Sequence, residues 1–247
     1  MFCEGFFILL NVIGDPLKKV ELSKRLEIAS QFAVNGKPIL DIGSDHANLP
    51  IYLVQEGVVP KAIAGEVVRG PYQYAQSKVS DYGYETSISV RLGDGLEVID
   101  SKESLGTIFI CGMGGSLISN IIESGLRNKK ISKETRLVLQ PNHGEENVRQ
   151  FLVQANYEII EEAILKEKGK YYEIIVAEST NEPLNYSCLD YEFGPKLLQK
   201  QSEVFVAKWR DKKLWLENLL EEIKKTEDTE KGQFFKSKIN QIEQVIS

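Results

Sequence analysis

Apolar residues along the chain follow two patterns that alternate. Runs rich in β-branched residues predict strands at 39–42, 62–65, 87–91, 107–111, 136–139, 157–165 and 171–178. Apolar residues at helical spacing predict helices at 23–32, 71–81, 116–126 and 145–156, and another helix that starts near Ala47. Five strands with helical crossovers, followed by a hairpin, predict an α/β fold with one doubly wound, seven-stranded sheet.

The pattern changes after Phe193-Gly194-Pro195, where the apolar spacing predicts two long amphipathic helices. Apolar residues on one face of each helix are Phe205, Trp209, Leu216, Leu219 and Ile223, then Phe235, Ile239, Ile242 and Ile246. A polar, turn-like segment at 226–232 separates them. We therefore expect an antiparallel, coiled-coil-like hairpin over 184–247 and a sheet domain over 22–183. Residues 1–21 are interpreted as an extension without an assigned function, because their short apolar run fits neither a signal peptide nor a membrane span.

The end of the first strand, in the stretch PILDIGSDHANLP at 38–50, carries the first candidate chemistry. Asp41 ends the strand and Gly43 opens a turn, but the further glycines of a dinucleotide-binding loop are absent. A carboxylate at Asp45 would repel a pyrophosphate and would suit the ammonium group of an amino-acid ligand. Glu66, at the end of the second strand, lies where a carboxylate accepts ribose hydroxyls. Together these residues predict a class I S-adenosylmethionine site, although the turn alone is equally compatible with a purely structural role.

Three further strand ends add residues to the same edge of the predicted sheet. Asp94 lies between two glycines after the third strand, where a carboxylate can accept the adenine amino group of the cofactor. The glycine-rich stretch 112–115 after the fourth strand allows close backbone approach to the sulfonium and to a substrate base. Asn142 follows the fifth strand and supplies an amide.

The distribution of charge along the chain indicates which part could bind a nucleic acid. The chain has 30 Lys and Arg against 36 Asp and Glu, so it lacks the overall basic character of many nucleic-acid binders. Residues 196–247 carry 11 basic and 9 acidic side chains, net +2, which leaves 19 and 27 for residues 1–195, net −8. The tail is therefore the better candidate for contact with a polyanion, and the alternative is a solvated helical face. A second basic cluster lies at 127–136, where a solubilising role is equally open.

Three cysteines and two histidines predict neither a disulfide framework nor a metal site. We expect a cytoplasmic monomer that binds no metal and no membrane.

Several motifs together resemble one family. They are LSKRL (22–26), DIGSDHANLP (41–50), AGEVVRGP (64–71), RLGDGL (91–96), GMGG (112–115), LQPN (139–142), KYYEIIVAE (170–178) and FGP (193–195). From about Leu22 onward the chain resembles the bacterial tRNA (adenine-22-N1)-methyltransferases, often called TrmK. The resemblance implies a class I methyltransferase fold, S-adenosylmethionine as cofactor, 1-methyladenosine in the D-arm region of tRNA as product, and an accessory helical domain that holds the tRNA. Asn48 departs from the family, which usually has Tyr or Gly there.

The cofactor-binding residues that we expect from the motifs and the resemblance are Arg25, Asp41, Gly43, Ser44, Glu66, Val67, Asp94, Gly95, Cys111, Gly112, Met113 and Gly114. For Arg25, contact with a tRNA phosphate and a surface salt bridge are the alternatives.

Catalysis is expected to be mainly alignment, because N1 of neutral adenine has a lone pair that attacks a sulfonium methyl group directly. The product ring is cationic, which favours Asp45 or Asn142 near N6 or N1. His46 is a candidate proton shuttle. Asp45 as a helix N-cap and His46 as a partner of backbone groups are the structural alternatives. Two rival functions stay open, namely a class I methyltransferase with another substrate and a non-catalytic RNA-binding protein with this fold.

Overall fold

The computed structural model describes residues 19–100, 103–223 and 229–247, and a seven-stranded sheet forms its centre. The strands are β1 (Ile39–Ile42), β2 (Ala62–Glu66), β3 (Ile88–Leu92), β4 (Thr107–Gly114), β5 (Arg136–His143), β6 (Tyr157–Glu167) and β7 (Lys170–Ser179). They are ordered β3-β2-β1-β4-β5-β7-β6, with β7 antiparallel to both of its neighbours and the other pairs parallel. The α/β fold and the closing hairpin are thus confirmed.

Helices cover both faces of this sheet. On one face lie α1 (Lys24–Ser30), α2 (Asn48–Gln55) and α3 (Arg69–Asp81), and on the other lie α4 (Gly115–Arg127) and α5 (Glu145–Gln154). Successive strand residues point to opposite layers, so Ile108 and Ile110 pack toward α4 and α5 whereas Phe109 packs toward α1 to α3. The continuous apolar runs of the sequence follow from burial on both faces.

Two strands, β4 and β5, extend three and four residues beyond their predicted ends. We expected β4 to stop at 111 and β5 at 139, but they continue to Gly114 and His143. The register between them shifts at Cys111 and Met113, which is a bulge within the glycine-rich stretch. The glycines therefore belong to a distorted strand end, and this end brings Met113 and Asn142 to the same edge of the sheet.

The C-terminal part forms α6 (Cys188–Phe193), α7 (Pro195–Lys200), α8 (Glu203–Ile223) and α9 (Thr229–Ile246). The two long helices are antiparallel, since Lys213 pairs with Glu243 at 2.8 Å and the Gln201 amide donates to the carbonyl of Val245 at 2.9 Å. Their apolar faces meet in a cluster whose buried members are Phe193, Leu197, Phe205, Trp209, Leu216, Ile239, Ile242 and Val245. The helical pair is as predicted.

The tail differs from its prediction in two details, and part of the predicted turn lies outside the described residues. Leu220 packs against the cluster in the place that we predicted for Leu219. Residues 229–232 begin α9 and are not part of a turn, while 224–228 and the side chain of Ile223 lie outside the described residues. No helix in the described ranges is both long and apolar enough to cross a membrane.

A fully buried guanidinium joins the sheet to this helical region. Arg149 on α5 donates to Glu162 of β6 at 2.7 Å and to Glu173 of β7, and also to the carbonyl oxygen of Tyr191 at 3.1 Å. Glu162 in turn accepts the backbone N–H of Lys196 at the start of α7, at 2.9 Å. Since each buried charge has a partner on another element, the cluster fixes α5, the hairpin and the tail relative to one another.

The Glu173 carboxylate is shared with the tail itself. Lys208 of α8 donates to its other oxygen at 2.6 Å. Arg149 and Lys208 hold the pKa of Glu173 below its usual range despite burial, whereas burial raises the pKa of Glu162.

We predict that Arg149→Met lowers the free energy of unfolding by about 3–5 kcal/mol, because two carboxylates lose their buried cation. Without Arg149 the pKa values of Glu162 and Glu173 rise, so the folded variant takes up protons that the unfolded chain does not. The deficit should therefore shrink as pH falls from about 7 to about 5. Urea unfolding at several pH values measures this.

The matched control is Arg127→Met, which breaks only an exposed pair with Glu123 on the same helix. Its effect should stay within about 0.5 kcal/mol at every pH. A deficit for Arg149→Met that is small, or that does not depend on pH, contradicts the assigned role.

Candidate functional site

The candidate site lies where the carboxyl ends of β1, β2, β4 and β5 meet. Ile42 at the end of β1 is in register with Gly65 of β2 and with Ile110 of β4, which is in register with Leu139 of β5. The chain order along the sheet reverses between β1 and β4, and ligands of open α/β sheets bind at such a reversal. The predicted residues after these strands are thus neighbours in space.

Glycines line this edge, where the backbone conformation or neighbouring side chains disfavour a Cβ atom. Gly43 has φ +67°, and a Cβ atom there would collide with the end of the Met113 side chain. A Cβ atom on Gly114 would lie 2.8 Å from the His143 ring, which is closer than real contacts permit. Gly112 has φ +78°, a conformation that favours glycine. Glycine at these three positions therefore fits both the backbone conformation and the neighbouring side chains.

The turn after β1 has an unusual backbone. Asp45, His46 and Ala47 are consecutive residues with φ of 43°, 75° and 56°, in the left-handed region that non-glycine residues rarely adopt. Burial raises the pKa of the Glu66 carboxyl, and the nearby backbone N–H groups of Asp45 and His46 oppose that shift. Residues held in such conformations cluster at functional sites. The turn is therefore shaped around a carboxylate on the neighbouring strand.

The backbone of this turn excludes one structural alternative, in which Asp45 caps the following helix. Ala47 is the N-cap residue of α2, and no side chain caps that helix. Asp45 is not the N-cap, and about four-fifths of its side chain is exposed at the site. Its carboxylate is available to a ligand.

Asn48 connects the turn to the helix beside it. Its Nδ2 donates to the carbonyl oxygen of Asp45 at 3.0 Å, and its Oδ1 accepts a hydrogen bond from Lys78 of α3. A Tyr or Gly at this position makes neither contact in the same way. Asn48 thus has a local structural role in holding the left-handed turn.

Three carboxylates interact electrostatically in this turn. Burial raises the pKa of Asp41 to about 7, the negative charges of Glu66 and Asp45 add to that shift, and a 2.7 Å hydrogen bond from the Ser44 hydroxyl opposes it. Burial likewise raises the pKa of Glu66. Such a cluster is stabilised by a positively charged ligand.

The residues fit S-adenosylmethionine. Glu66 is 6% exposed, and its Oε1 has no hydrogen-bond partner among the described residues, so a donor such as a ribose hydroxyl would satisfy it. Val67 is 63% exposed directly after Glu66 and offers an apolar surface to a purine ring. The cationic ammonium and sulfonium groups suit the carboxylates of Asp41 and Asp45. This set holds a cationic nucleoside better than a pyrophosphate.

A continuous hydrogen-bond chain crosses the site from α1 to β4. Arg25 donates to Gln140 Oε1 at 3.1 Å, and Gln140 Nε2 donates to Asn142 Oδ1 at 3.3 Å. Asn142 Nδ2 donates to the carbonyl oxygen of Gly112 at 2.6 Å. The guanidinium of Arg25 therefore contacts Gln140 and lies 3.4 Å from the position that a Cβ atom of Gly112 would occupy.

His46 contacts a residue that the motifs do not indicate. Its ring packs edge-on against Tyr74 of α3, with ring centroids 4.3 Å apart, and its Nε2 lies 3.4 Å from Asp45 Oδ1. Its Nδ1 is buried without a partner in the described part of the chain, so His46 does not serve to satisfy backbone groups through that atom. Tyr74 is 55% exposed.

Sequence reasoning missed Tyr74 and Gln140. The signal for Tyr74 would have been its place on the first turns of α3, directly after Glu66. Gln140 lies inside the quoted LQPN motif, but its partner Arg25 is on α1, which is far away in the sequence.

The remaining predicted residues lie as follows. Asp94 is exposed after β3, and Gly95, with φ +51°, starts a single 3-10 turn.

Burial and the nearby Asp41 raise the pKa of the Cys111 thiol well above its usual range, so this thiol stays protonated and is a poor nucleophile. Among the described residues, no group of three or more His, Cys, Asp or Glu side chains could hold a metal ion.

The basic cluster at 127–136 lies away from the site and is largely committed to internal contacts. Lys130 donates to the carbonyl oxygen of Ile99, and Arg136 pairs with Glu178 at 2.7 Å. Arg127 pairs with Glu123 on the same helix. These contacts favour a structural role.

Comparisons with known proteins agree with this geometry. The family model for tRNA (adenine(22)-N(1))-methyltransferase, TrmK, matches residues 39–244. A tRNA (adenine(22)-N(1))-methyltransferase from Bacillus subtilis (strain 168) is 39% identical over 220 residues, which cover 87% of this chain and 91% of that protein.

Solved structures extend the likeness to the fold. A Streptococcus pneumoniae protein in complex with S-adenosyl-L-methionine is 42% identical with a TM-score of 0.83, over 92% of this chain and 100% of that one. TrmK from M. capricolum, solved in complex with S-adenosyl-homocysteine, is 28% identical with a TM-score of 0.78, over 91% of this chain and 97% of that one. This chain belongs to the tRNA (adenine(22)-N(1))-methyltransferase family.

Proposed function

We propose that the protein transfers the methyl group of S-adenosylmethionine to N1 of adenine 22 in tRNA. The observation that carries this is the buried carboxylate cluster at the β1 and β2 ends, with an unpartnered oxygen on Glu66, in a chain of this family. The cluster favours a cationic nucleoside as methyl donor. S-adenosylmethionine supplies an electrophilic methyl group on a sulfonium, and the protein's own residues hold it and orient the base.

The roles proposed for the chain's residues follow from their places. Asp41, Ser44 and Glu66 hold the amino-acid and ribose parts of the cofactor, and the bulged Gly112 to Gly114 backbone leaves room for the base beside the methyl group. Asp45 is exposed in the left-handed turn and faces positive charge as it develops on the methylated ring. No strong base is needed before transfer, because the N1 lone pair is the nucleophile. Asn142 orients the base.

Tyr74 and His46 are proposed to support the target base. N1 is occupied in Watson-Crick pairs, so the adenine must be unpaired or turned out of its stack before it reacts. An exposed Tyr74 ring fixed edge-on by His46 offers a surface on which a purine can stack.

We propose that residues 22–183 act as the catalytic domain and 184–247 as a helical domain that contacts tRNA. The α8 surface supports this, since Trp215 is half-exposed and Lys212 lies 3.9 Å from the centre of its ring. Aromatic rings and cations side by side suit an RNA strand. A cytoplasmic monomer is the proposed state, and the free thiols of Cys111 and Cys188 accord with a reducing compartment.

The activity is tested with labelled S-adenosylmethionine and unmodified bacterial tRNA that carries either adenine or guanine at position 22. We expect label in the adenine form only, at N1, because guanine carries a proton on N1 and offers no lone pair there. Transfer to neither tRNA, with cofactor binding intact, would favour another substrate. Absence of cofactor binding would favour a non-catalytic RNA-binding role.

The two exposed aspartates should differ in their effects. Asp94→Ala is expected to weaken cofactor binding, because Asp94 lies where the adenine amino group of the cofactor is expected. Asp45→Ala should lower the methyl-transfer rate by about tenfold or more while changing cofactor affinity less. Calorimetric Kd and single-turnover rates measure the two effects, and equal affinity losses in both variants would refute the division.

Cofactor affinity should rise with pH. The pKa of Asp41 is raised to about 7 by burial, so below that pH the carboxyl is neutral and must lose its proton to pair with the cofactor's ammonium. For one such group the affinity rises about tenfold between about pH 6 and about pH 8. Asp41→Asn should remove most of this dependence in titrations over the same range, and an unchanged slope would show that another group is responsible.

A further inference from the structure

The side-chain amide of Asn142 is held in one orientation by donors and acceptors that cannot exchange roles. At one end of the hydrogen-bond chain, Arg25 can only donate, so the atom of Gln140 that faces it must be the oxygen. Gln140 Nε2 then donates to the carbonyl oxygen of Pro141 at 2.8 Å and to Asn142 Oδ1. At the other end, the carbonyl oxygen of Gly112 can only accept, so it receives Asn142 Nδ2.

Turning the Asn142 amide over would break the chain at both contacts. Nδ2 would face the Gln140 Nε2 donor, and Oδ1 would face the carbonyl oxygen of Gly112. Gln140 cannot compensate, because it is fully buried and its own oxygen is fixed by Arg25. The orientation of an exposed amide at the site is therefore set from α1, across a buried residue.

The fixed amide keeps part of its hydrogen-bonding capacity for a ligand. Oδ1 accepts one hydrogen bond and has a second lone pair, and Nδ2 donates one hydrogen bond and has a second N–H. These groups lie side by side at an exposed position on the ligand edge. A side-chain amide of this kind pairs with the N6 amino group and N7 of adenine.

The Watson-Crick edge is not available for this pairing. N1 must direct its lone pair at the methyl carbon, so an N–H from Asn142 to N1 would block the reaction. The N6 and N7 edge leaves N1 free. Guanine presents two acceptors, O6 and N7, along that same edge, and O6 would then face the Asn142 oxygen.

We propose that Asn142 reads the N6 and N7 edge of the target adenine, and that Gln140 and Arg25 are positioning residues that fix its amide for this purpose. This rests on the proposed methylation of adenine 22 and adds how the base is recognised. Asn142 would touch the substrate, whereas Gln140 acts only through Asn142.

The test combines a substrate that lacks N7 with a protein variant that lacks the Gln140 Nε2 donor. Single-turnover transfer at saturating cofactor is measured on tRNA with adenine or 7-deazaadenine at position 22, for the wild-type protein and for Gln140→Glu. A carboxylate can still accept from Arg25 but cannot donate to Asn142. The altered reactivity of N1 in 7-deazaadenine is common to both proteins and cancels when their rate ratios are compared.

We expect the adenine to 7-deazaadenine rate ratio to be about fivefold larger for wild type than for Gln140→Glu, the equivalent of one hydrogen bond. Cofactor Kd should change by less than about twofold in the variant, which a general loss of structure would not allow. Gln154→Glu makes the same chemical change at an exposed position of α5 and should keep the wild-type ratio.

Asn142→Ala provides a second variant that does not disturb the core. It should lose the dependence on N7 to the same extent as Gln140→Glu. Equal rate ratios in wild type and both variants would overturn the inference while leaving methylation of adenine 22 intact. Failure of the wild-type protein to methylate adenine 22 at all would remove the proposed function and the inference with it.

Discussion

The site depends on carboxylates that are held where water cannot fully solvate them. Asp41 and Glu66 end buried strands, and burial raises the pKa of both. Two features of the chain offset this cost, namely the hydrogen bond from the Ser44 hydroxyl to Asp41 and the backbone N–H groups of the left-handed turn, which lower the pKa of Glu66. We propose that a cationic ligand offsets the remaining cost, so that the same desolvation that destabilises the site without ligand favours binding of a sulfonium nucleoside.

The core uses buried carboxylates for a different purpose. Around Arg149, Glu162 and Glu173 have their cation built in, so this cluster needs no ligand and serves to join the tail to the sheet. Lys208 of α8 adds a further contact to Glu173. Two sets of buried acids thus differ in whether the sequence supplies the counter-charge, and that difference separates the binding site from the structural joint.

The strand order, and with it the strand ends that carry the predicted site residues, could be predicted because they depend on local patterns. The continuous apolar runs of buried parallel strands are recognisable in sequence. The carboxyl ends of these strands lie at one edge of the sheet, independent of the conformation of the loops. The left-handed run at Asp45 to Ala47, the buried Gln140 and the Arg149 cluster could not be predicted, since each is fixed by residues that are distant in sequence. Asn48 shows this clearly, because its partner Lys78 lies 30 positions away. Predicting such positions requires the tertiary arrangement of the chain as well as its motifs.

Charge balance during the reaction explains why the acids are placed as they are. In the proposed reaction the positive charge is first on the cofactor sulfonium, which we place beside the Asp41 and Glu66 cluster, and afterwards on the methylated adenine. The total charge at the site is unchanged, so no acid has to gain or lose a proton for transfer to occur. Only the location of the positive charge changes, from the sulfonium beside the buried carboxylates to the methylated base. An exposed acid such as Asp45, in the same turn and electrostatically coupled to both, can stabilise the charge at its new location without reorganisation of the core.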